Sequence, residues 1–297
     1  MTDTAAPTGT GAPRALPVPP ELLFVVSGVS QYTGASIAVH LFEELPPTTV
    51  TLFRVLFGAL PILAFSRRNR RPWTRVELRA AAVFGLATAA MNLFFYLAID
   101  RLPLGKSVVI EFLGPITVAA VFTRSRRNTL ALVLATAGVA ILSGVELGGD
   151  PLGVLFIFGA AAMWGTYIVL GRRVAALDRG LDGLGVGLLI GAAALVPFGV
   201  RHAGEVLTSA RLIVLCVLVG ICSSAVGYSI DQIVLRRIPV RRFSLLLALL
   251  PVTAMVVGLV ALGQVPTWAD LGGAALVIIG VVLQERDVIA PTDALPE

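Results

Sequence analysis

The sequence is a succession of apolar stretches, each about as long as a lipid bilayer is thick, joined by short polar connections. A helix needs about 20 apolar residues to span a bilayer. By that measure the pattern predicts ten helices, at residues 21–41, 49–66, 77–98, 104–123, 129–146, 152–171, 183–200, 211–234, 242–263 and 268–285. Connections this short leave no room for a soluble catalytic domain. We therefore expect an all-α polytopic membrane protein.

Composition excludes a soluble fold of this size. Of the 297 residues, 57% are hydrophobic and only 14% are charged, whereas soluble domains average about 45–50% apolar and about 25% charged residues. The net charge of +5 comes from arginines clustered between the apolar stretches, which favours a membrane-topology signal over nucleic-acid binding. Cys216 and Cys222 point to different faces of one stretch, so neither a disulfide nor a metal pair is expected.

The distribution of basic residues predicts the orientation in the membrane. With the N-terminus inside, eighteen of the 23 Lys and Arg residues fall in inner segments and four in outer ones. Positive charge accumulates in cytoplasmic loops, so we expect a multi-pass protein of the cell membrane with both termini in the cytoplasm. Residues 1–20 are predicted to be a disordered tail rather than a signal peptide, and residues 287–297 a second polar tail.

An internal repeat divides the chain into two halves of five predicted helices. Arg101–Leu104 matches Arg237–Val240 at an offset of 136 residues, and Pro115 matches Pro251 at the same offset. Because five is odd, the two copies must enter the membrane from opposite sides. Inverted repeats are typical of secondary transporters, which bind substrate near the midplane between the halves. A structural scaffold made by duplication is the alternative.

The most unusual residue is Glu111, a carboxylate in the middle of an apolar stretch. An acidic residue at mid-membrane costs about 2.5–3.5 kcal/mol, so Glu111 is a candidate for proton coupling. Pro115 has no N–H and leaves the Glu111 carbonyl without its helical partner, which adds an acceptor for an ammonium group or a proton. The alternative is a permanently protonated Glu111 with a structural role.

A polar stripe recurs in both halves. Asn92 and Tyr96 share one helix face, and the offset of 136 places Tyr228 and Gln232 at equivalent positions. A stripe that recurs in this way favours the lining of a substrate cavity. Interhelical hydrogen bonding, for which such residues are common in membranes, is the alternative.

Five further residues are candidates for the site. Asp231 adjoins the polar stripe and is a second candidate for proton coupling. The alternative is that Asp231 lies at a solvent-exposed helix end and pairs with a nearby arginine. Arg54 suits a carboxylate partner, either on the substrate or on Glu111, although near a helix end it could snorkel to the interface. Gln31, Trp164 and Tyr167 are further candidates for the cavity lining. For the two aromatic residues, ordinary packing is the alternative.

Four segments resemble the threonine/homoserine exporter family of the EamA-type drug/metabolite transporter superfamily: Ser30–Ser36, Met91–Pro115, Trp164–Ile168 and Tyr228–Arg241. The resemblance covers nearly all of residues 21–285. It implies two EamA-like five-helix repeats, at residues 21–147 and 151–286.

Two residues of the second half depart from the pattern of that family. Leu250 precedes Pro251 where the family tends to carry a glutamate, and Gln264 stands where an acidic residue is common. Both departures bear on which substrate is carried and how its transport is coupled.

Together these observations predict a secondary active exporter of amino acids or related small metabolites, working by proton antiport. The expected partners are the bilayer, a small-molecule substrate and protons, with no cofactor or metal, and a homodimer is left open. A multidrug or nucleoside-type exporter is the alternative within the superfamily, and a membrane enzyme or a sensor or scaffold protein are the alternatives outside it. The chain carries no ATP-binding segment and no convergent nucleophile or metal ligands, so an enzyme is not expected.

Overall fold

The computed structural model describes residues 18–66, 72–122, 126–146, 150–175, 177, 179, 181–235 and 249–283. Every regular element in these ranges is helical. The helices are α1 (Pro20–Leu41), α2 (Pro47–Phe65), α3 (Arg75–Ile99), α4 (Leu104–Glu111), α5 (Leu113–Phe122), α6 (Arg126–Glu146), α7 (Pro151–Ala175), α8 (Leu181–Gly199), α9 (Ala203–Thr208), α10 (Ala210–Gly220), α11 (Gly227–Leu235), α12 (Leu249–Leu262) and α13 (Trp268–Leu283).

Among the described residues, 6 helical segments are long and apolar enough to cross a bilayer: Leu22–Leu41, Pro47–Phe65, Arg75–Ile99, Pro151–Gly171, Leu181–Thr208 and Ala210–Asp231. Shorter apolar helices lie at Thr129–Gly138, Leu250–Leu262 and Trp268–Gly280. Large apolar side chains such as Leu155 and Val260 are exposed on the outside of the bundle. That arrangement suits a protein whose surroundings are lipid.

Two of the predicted helices are not continuous. The fourth breaks at Phe112 into α4 and α5, immediately after Glu111, because Pro115 cannot donate the hydrogen bond that the Glu111 carbonyl needs. The eighth passes from α10 through a π-helical turn at Ile221–Val226 into α11. A turn of this kind widens the helix and is often found at functional sites.

The two halves of the chain interdigitate. The most extensive helix contacts, α3 with α7, α6 with α13, and α2 with α8, each join a helix of the first half to one of the second. Likewise α1 packs on α12 and on the π-helical turn, and α4 packs on α12. Each half therefore buries its inner faces mainly against the other half, and the space between the halves is the centre of the bundle.

Ion pairs tie the loops at the two ends of the bundle to helix starts of the opposite half. Arg179 Nη2 lies 2.8 Å from Glu77 Oε2, and both side chains are almost fully buried. Thr74 and Glu77 also form a capping box at the start of α3. At the other end Arg211 Nη1 lies 2.7 Å from Glu44 Oε1, but this pair is exposed. Burial makes the Arg179–Glu77 pair the more costly one to break.

Small residues allow α3 and α8 to approach closely. A Cβ atom on Gly85 would collide with the carbonyl oxygen of Gly187, and one on Gly191 would collide with the carbonyl oxygen of Gly85. Small residues at such crossings are the usual way in which membrane helices pack. The glycines of α8 thus make the close crossing with α3 possible.

We expect Gly85→Ala to destabilise the protein by about 1–3 kcal/mol, because the added methyl group meets backbone rather than a movable side chain. The matched control is Gly272→Ala in α13, where an added Cβ would have no neighbour within 4 Å. Unfolding in detergent micelles, followed by circular dichroism, measures both variants. Equal stability of the two would contradict the close α3–α8 crossing.

Candidate functional site

Charged and polar side chains meet at the centre of the bundle, in what we call the central polar cluster. Its members come from α1, α2, α3, α4, α11 and the π-helical turn, and they are Ser27, Gln31, Tyr32, Arg54, Asn92, Tyr96, Glu111, Ser224, Tyr228 and Asp231. Both signs of charge occur among them. The cluster brings together most of the residues that the sequence singled out.

Arg54 lies about two turns inside α2 and is only 5% exposed. Its Nε donates a hydrogen bond to Ser224 Oγ at 3.3 Å. Its guanidinium carbon lies 4.7 Å from the centroid of the Tyr96 ring, within the range of a cation–π interaction. The structure therefore places the Arg54 side chain in the interior of the bundle. The carboxylate partner expected for it stays a prediction.

Glu111 is the last residue of α4 and is 8% exposed. Its carboxylate makes no hydrogen bond or ion pair within 4 Å to any residue that the structure describes. The charge of Arg54 nevertheless acts on it, and Glu111 in turn acts on Tyr32 and Tyr228. Glu111 thus belongs to the cluster electrostatically while its carboxylate remains unengaged by the described side chains.

Asn92 and Tyr228 contact each other directly. The Tyr228 hydroxyl donates to Asn92 Oδ1 at 3.1 Å, across 136 positions of sequence, which is the offset of the internal repeat. Asn92 Nδ2 donates to the Thr88 carbonyl at 2.8 Å. The two residues that the repeat makes equivalent therefore lie side by side at the boundary between the halves. Gln232, the fourth member of the predicted stripe, has a side chain outside the described residues.

Asp231 is joined to α1 by a chain of hydrogen bonds. Ser27 Oγ donates to Asp231 Oδ1 at 3.0 Å, and Gln31 Nε2 donates to Ser27 Oγ at 3.0 Å. The backbone carbonyl of Gln31 also accepts a hydrogen bond from Ser223 Oγ at 3.0 Å. Gln31 and Asp231 are thus part of one network.

Trp164 and Tyr167 flank the cluster on α7. Trp164 packs edge-on against Phe112 with the ring centroids 4.9 Å apart, next to Glu111 in the chain. Tyr167 is buried, with its ring 6.1 Å from that of Tyr228 and 5.0 Å from that of Phe84. Both aromatic residues thus lie beside the cluster and also pack against its neighbours.

The two departures from the exporter pattern have structural roles of their own. Gln264 Oε1 accepts a hydrogen bond at 3.0 Å from the backbone N–H of Leu104 at the start of α4, a donor that has no partner within the helix. Leu250 is buried, and a Cβ on Gly28 would lie 3.0 Å from its side chain. Leu247, which the repeat aligns with Glu111, lies outside the described residues.

Sequence reasoning did not identify three members of the central polar cluster, Ser27, Tyr32 and Ser224. It also missed Ser223, which bonds to the backbone of Gln31. Serines are common and inexpensive in apolar helices, so their presence alone carries little signal. The adjacent serines at the π-helical turn are the one clue, since a widened turn needs side-chain partners outside its own helix. Tyr32 follows Gln31 directly, but its proximity to both acids becomes visible only in three dimensions.

Comparison with known proteins identifies the kind of protein to which this cluster belongs. A model of the EamA-like transporter family matches residues 19–147 and 151–284. The chain belongs to the EamA-like transporter family. The resemblance seen in the sequence is thereby confirmed, as is the prediction of an all-helical, multi-pass membrane transporter.

Individual relatives of this EamA-like transporter agree with that assignment. The threonine/homoserine exporter RhtA of Escherichia coli (strain K12) is 35% identical over 263 residues, which cover 86% of this chain and 88% of RhtA. The uncharacterized inner membrane transporter YicL of Salmonella typhimurium (strain LT2) is 25% identical over 286 residues, 89% of this chain and 94% of YicL. One crystal structure of a protein shares the fold, with a TM-score of 0.62 and 21% identity over 89% of this chain and 95% of the other.

A double-mutant cycle measures the Asn92–Tyr228 contact of this EamA-like transporter. We expect Asn92→Ala and Tyr228→Phe to be non-additive in unfolding free energy, with a coupling of about 0.6–1.7 kcal/mol, the range for interhelical hydrogen bonds in membranes. Stability is followed by unfolding in mixed micelles. Pairing Asn92→Ala with Thr208→Val, which alters α9 at the surface, is the control and should be additive. Additivity of the Asn92–Tyr228 pair would contradict the contact.

Proposed function

We propose that this EamA-like transporter is a secondary active exporter of amino acids of the threonine and homoserine kind, or of closely related small metabolites. The identity of 35% with the exporter RhtA over most of both chains supports this. The observation that carries the proposal is the central polar cluster, which holds one guanidinium and two carboxylates between the halves. Charges inside a membrane protein mark substrate and ion pathways.

The architecture proposed for this function is ten spans in two inverted five-helix repeats, at residues 21–147 and 151–286. Here α4 and α5 form one span, and α10 to α11 form another. The helix pairing supports it, because large contacts between the halves have exchanged counterparts: α3 packs on α7 as α11 packs on α1, and α3 packs on α8 as α10 packs on α2. The contact between the equivalent residues Asn92 and Tyr228 supports it as well.

In the proposed mechanism the substrate lies between the repeats, and the halves rock to expose it alternately to the two sides. The lining residues would be Gln31, Asn92, Tyr96, Trp164, Tyr167 and Tyr228, with Gln232 as a further candidate. The interrupted helices support this placement, since irregular backbone at membrane depth is tolerated where it lines a cavity or is buried in protein. The breaks at Phe112 and at Ile221–Val226 both adjoin the cluster.

Proton antiport is assigned to Glu111, with Asp231 as the second acid. A carboxylate that the described side chains leave unengaged is free to take a proton in one state and to release it in another. Asp231 is held by Ser27 and so is less free to change partners. Both acids act electrostatically on the phenols Tyr32 and Tyr228, which supports their assignment to one site.

Transport into proteoliposomes tests the substrate and the coupling together. We expect the wild-type protein to accumulate radiolabelled threonine against a gradient when a pH difference is imposed. Glu111→Gln should abolish that accumulation, yet retain exchange of labelled for unlabelled threonine at a lower apparent affinity, since a glutamine cannot exchange the proton but still offers the site a hydrogen-bond acceptor. Glu205→Gln, which removes an exposed carboxylate on α9, is the matched control and should behave as wild type.

The outcomes separate the two parts of the proposal. Unchanged pH-driven accumulation by Glu111→Gln would remove the coupling role of that residue. No movement of threonine or homoserine by the wild-type protein would contradict the substrate assignment and favour the multidrug or nucleoside alternative.

The proposed orientation, with both termini in the cytoplasm, is tested by cysteine labelling in intact cells. In a background without Cys216 and Cys222, we expect Glu205→Cys to react with a membrane-impermeant maleimide added outside. Arg75→Cys at the start of α3 should react only after permeabilisation, because the positive-inside rule places that end in the cytoplasm. The reverse pattern would invert the topology.

A further inference from the structure

We propose that Arg54 binds the carboxylate of the transported amino acid, so that the central polar cluster recognises a zwitterion and not simply a small polar molecule. This inference rests on the proposed function and specifies the chemistry of its site. It assigns the negative end of the substrate to α2 and the positive end to the acids on α4 and α11.

The guanidinium of Arg54 is only partly engaged. Its Nε is bonded to Ser224 and its face lies over Tyr96. Its Nη1 is buried and has no hydrogen-bond partner among the described residues. These contacts hold the guanidinium between α3 and the π-helical turn, and Nη1 is the atom left for a further partner.

An isolated buried charge is costly. A buried ion without an oppositely charged partner is strongly destabilising, and no carboxylate of the described residues lies within 4 Å of Arg54. The neighbours of the guanidinium are a hydroxyl and an aromatic ring, neither of which carries a negative charge. A carboxylate on the substrate would give the guanidinium the anionic partner that the described residues do not provide.

The chemistry of a guanidinium selects the anion. Its planar set of donors matches the two oxygens of a carboxylate and binds them with charge-assisted hydrogen bonds. The opposite charge needed for the other end of an amino acid is present in the same cluster. Glu111 and Asp231 lie near enough to interact with Tyr32, which also senses the charge of Arg54.

A second unpartnered atom lies beside the acidic end. Ser107 Oγ on α4 is fully buried and has no hydrogen-bond partner among the described residues. Ser107 lies one turn before Glu111 on the same helix face. Its hydroxyl adds a hydrogen-bonding position for the ammonium group or a side-chain hydroxyl of the substrate.

Competition against counterflow of radiolabelled threonine in proteoliposomes tests the inference in the wild-type protein. The competitors are threonine, threonine methyl ester and threonine amide, which keep the ammonium group and differ at the carboxylate. We expect the ester and the amide to compete about 10–100-fold more weakly than threonine, the loss expected for one charge-assisted interaction. Equal competition by all three in the wild-type protein would overturn the inference without requiring any variant.

Variants locate the carboxylate contact. In Arg54→Gln we expect threonine to lose about 10–100-fold in apparent affinity, while the ester and the amide are nearly unaffected, so that discrimination disappears. Arg54→Lys should keep part of the discrimination, since the charge remains but the planar fork does not. Arg211→Gln, which removes an exposed arginine, is the control and should discriminate as wild type does.

The results distinguish this inference from the proposed function on which it rests. If the wild-type protein carries no amino acid, the proposed function fails first. If it carries threonine, and Arg54→Gln weakens threonine and its ester equally, the exporter assignment stands and the carboxylate role is wrong. Ser224→Ala, which releases Nε without removing charge, provides a milder variant and should weaken threonine more than its ester.

Discussion

The guanidinium of Arg54, held inside a bundle of apolar helices, sets the conditions that the surrounding structure must meet. A lone charge is not tolerated in such a place, so neighbouring helices must supply polar groups without filling the centre of the bundle. Ser224 and the ring of Tyr96 do so from two directions. Glu111 on α4 lies within electrostatic reach of Arg54, yet no carboxylate of the described residues pairs with the guanidinium. The guanidinium is therefore held in place by Ser224 and Tyr96, but no described carboxylate contacts it directly.

Irregular backbone is what allows these groups to converge. At the π-helical turn, Ser223 reaches the carbonyl of Gln31 on α1 while Ser224 reaches Arg54 on α2. At Phe112 the helix ends just after Glu111. Non-helical backbone in the membrane needs protein or water around it, and both interruptions lie at the boundary between the halves, where protein surrounds them.

Much of this could be read from the sequence, and the failures have physical reasons. Hydropathy reports the length of a span reliably, so the described helix bounds lie close to the predicted ones. The break beside Glu111 was not predicted, because residues 104–123 form one apolar stretch, although the missing donor of Pro115 accounts for it. The depth of Arg54 was ambiguous, because a side chain that long reaches the interface from two turns inside a helix. The roles of Ser27 and Tyr32 depend on which face of α1 packs against α11. The sequence of α1 does not predict that face, because the helix is almost uniformly apolar. The contact of Asn92 with Tyr228 was implicit in the repeat, since equivalent residues meet where they approach the pseudo-twofold axis.

The repeat also shows where the two halves cease to be equivalent. At the offset of 136 residues, Asn92 corresponds to Tyr228, so both positions carry a polar residue. Glu111 corresponds to Leu247, and Asp231 corresponds to Phe95, so each acid has an apolar residue at the equivalent position. In the proposed mechanism the two halves rock against each other, and residues at their common axis would remain neighbours, so a hydrogen bond there would persist in both states. An acid away from the axis, with an apolar residue at the equivalent place, would change its surroundings whenever the halves moved. The proposed proton coupling therefore depends on the two acids, which are positions at which the halves of this chain differ.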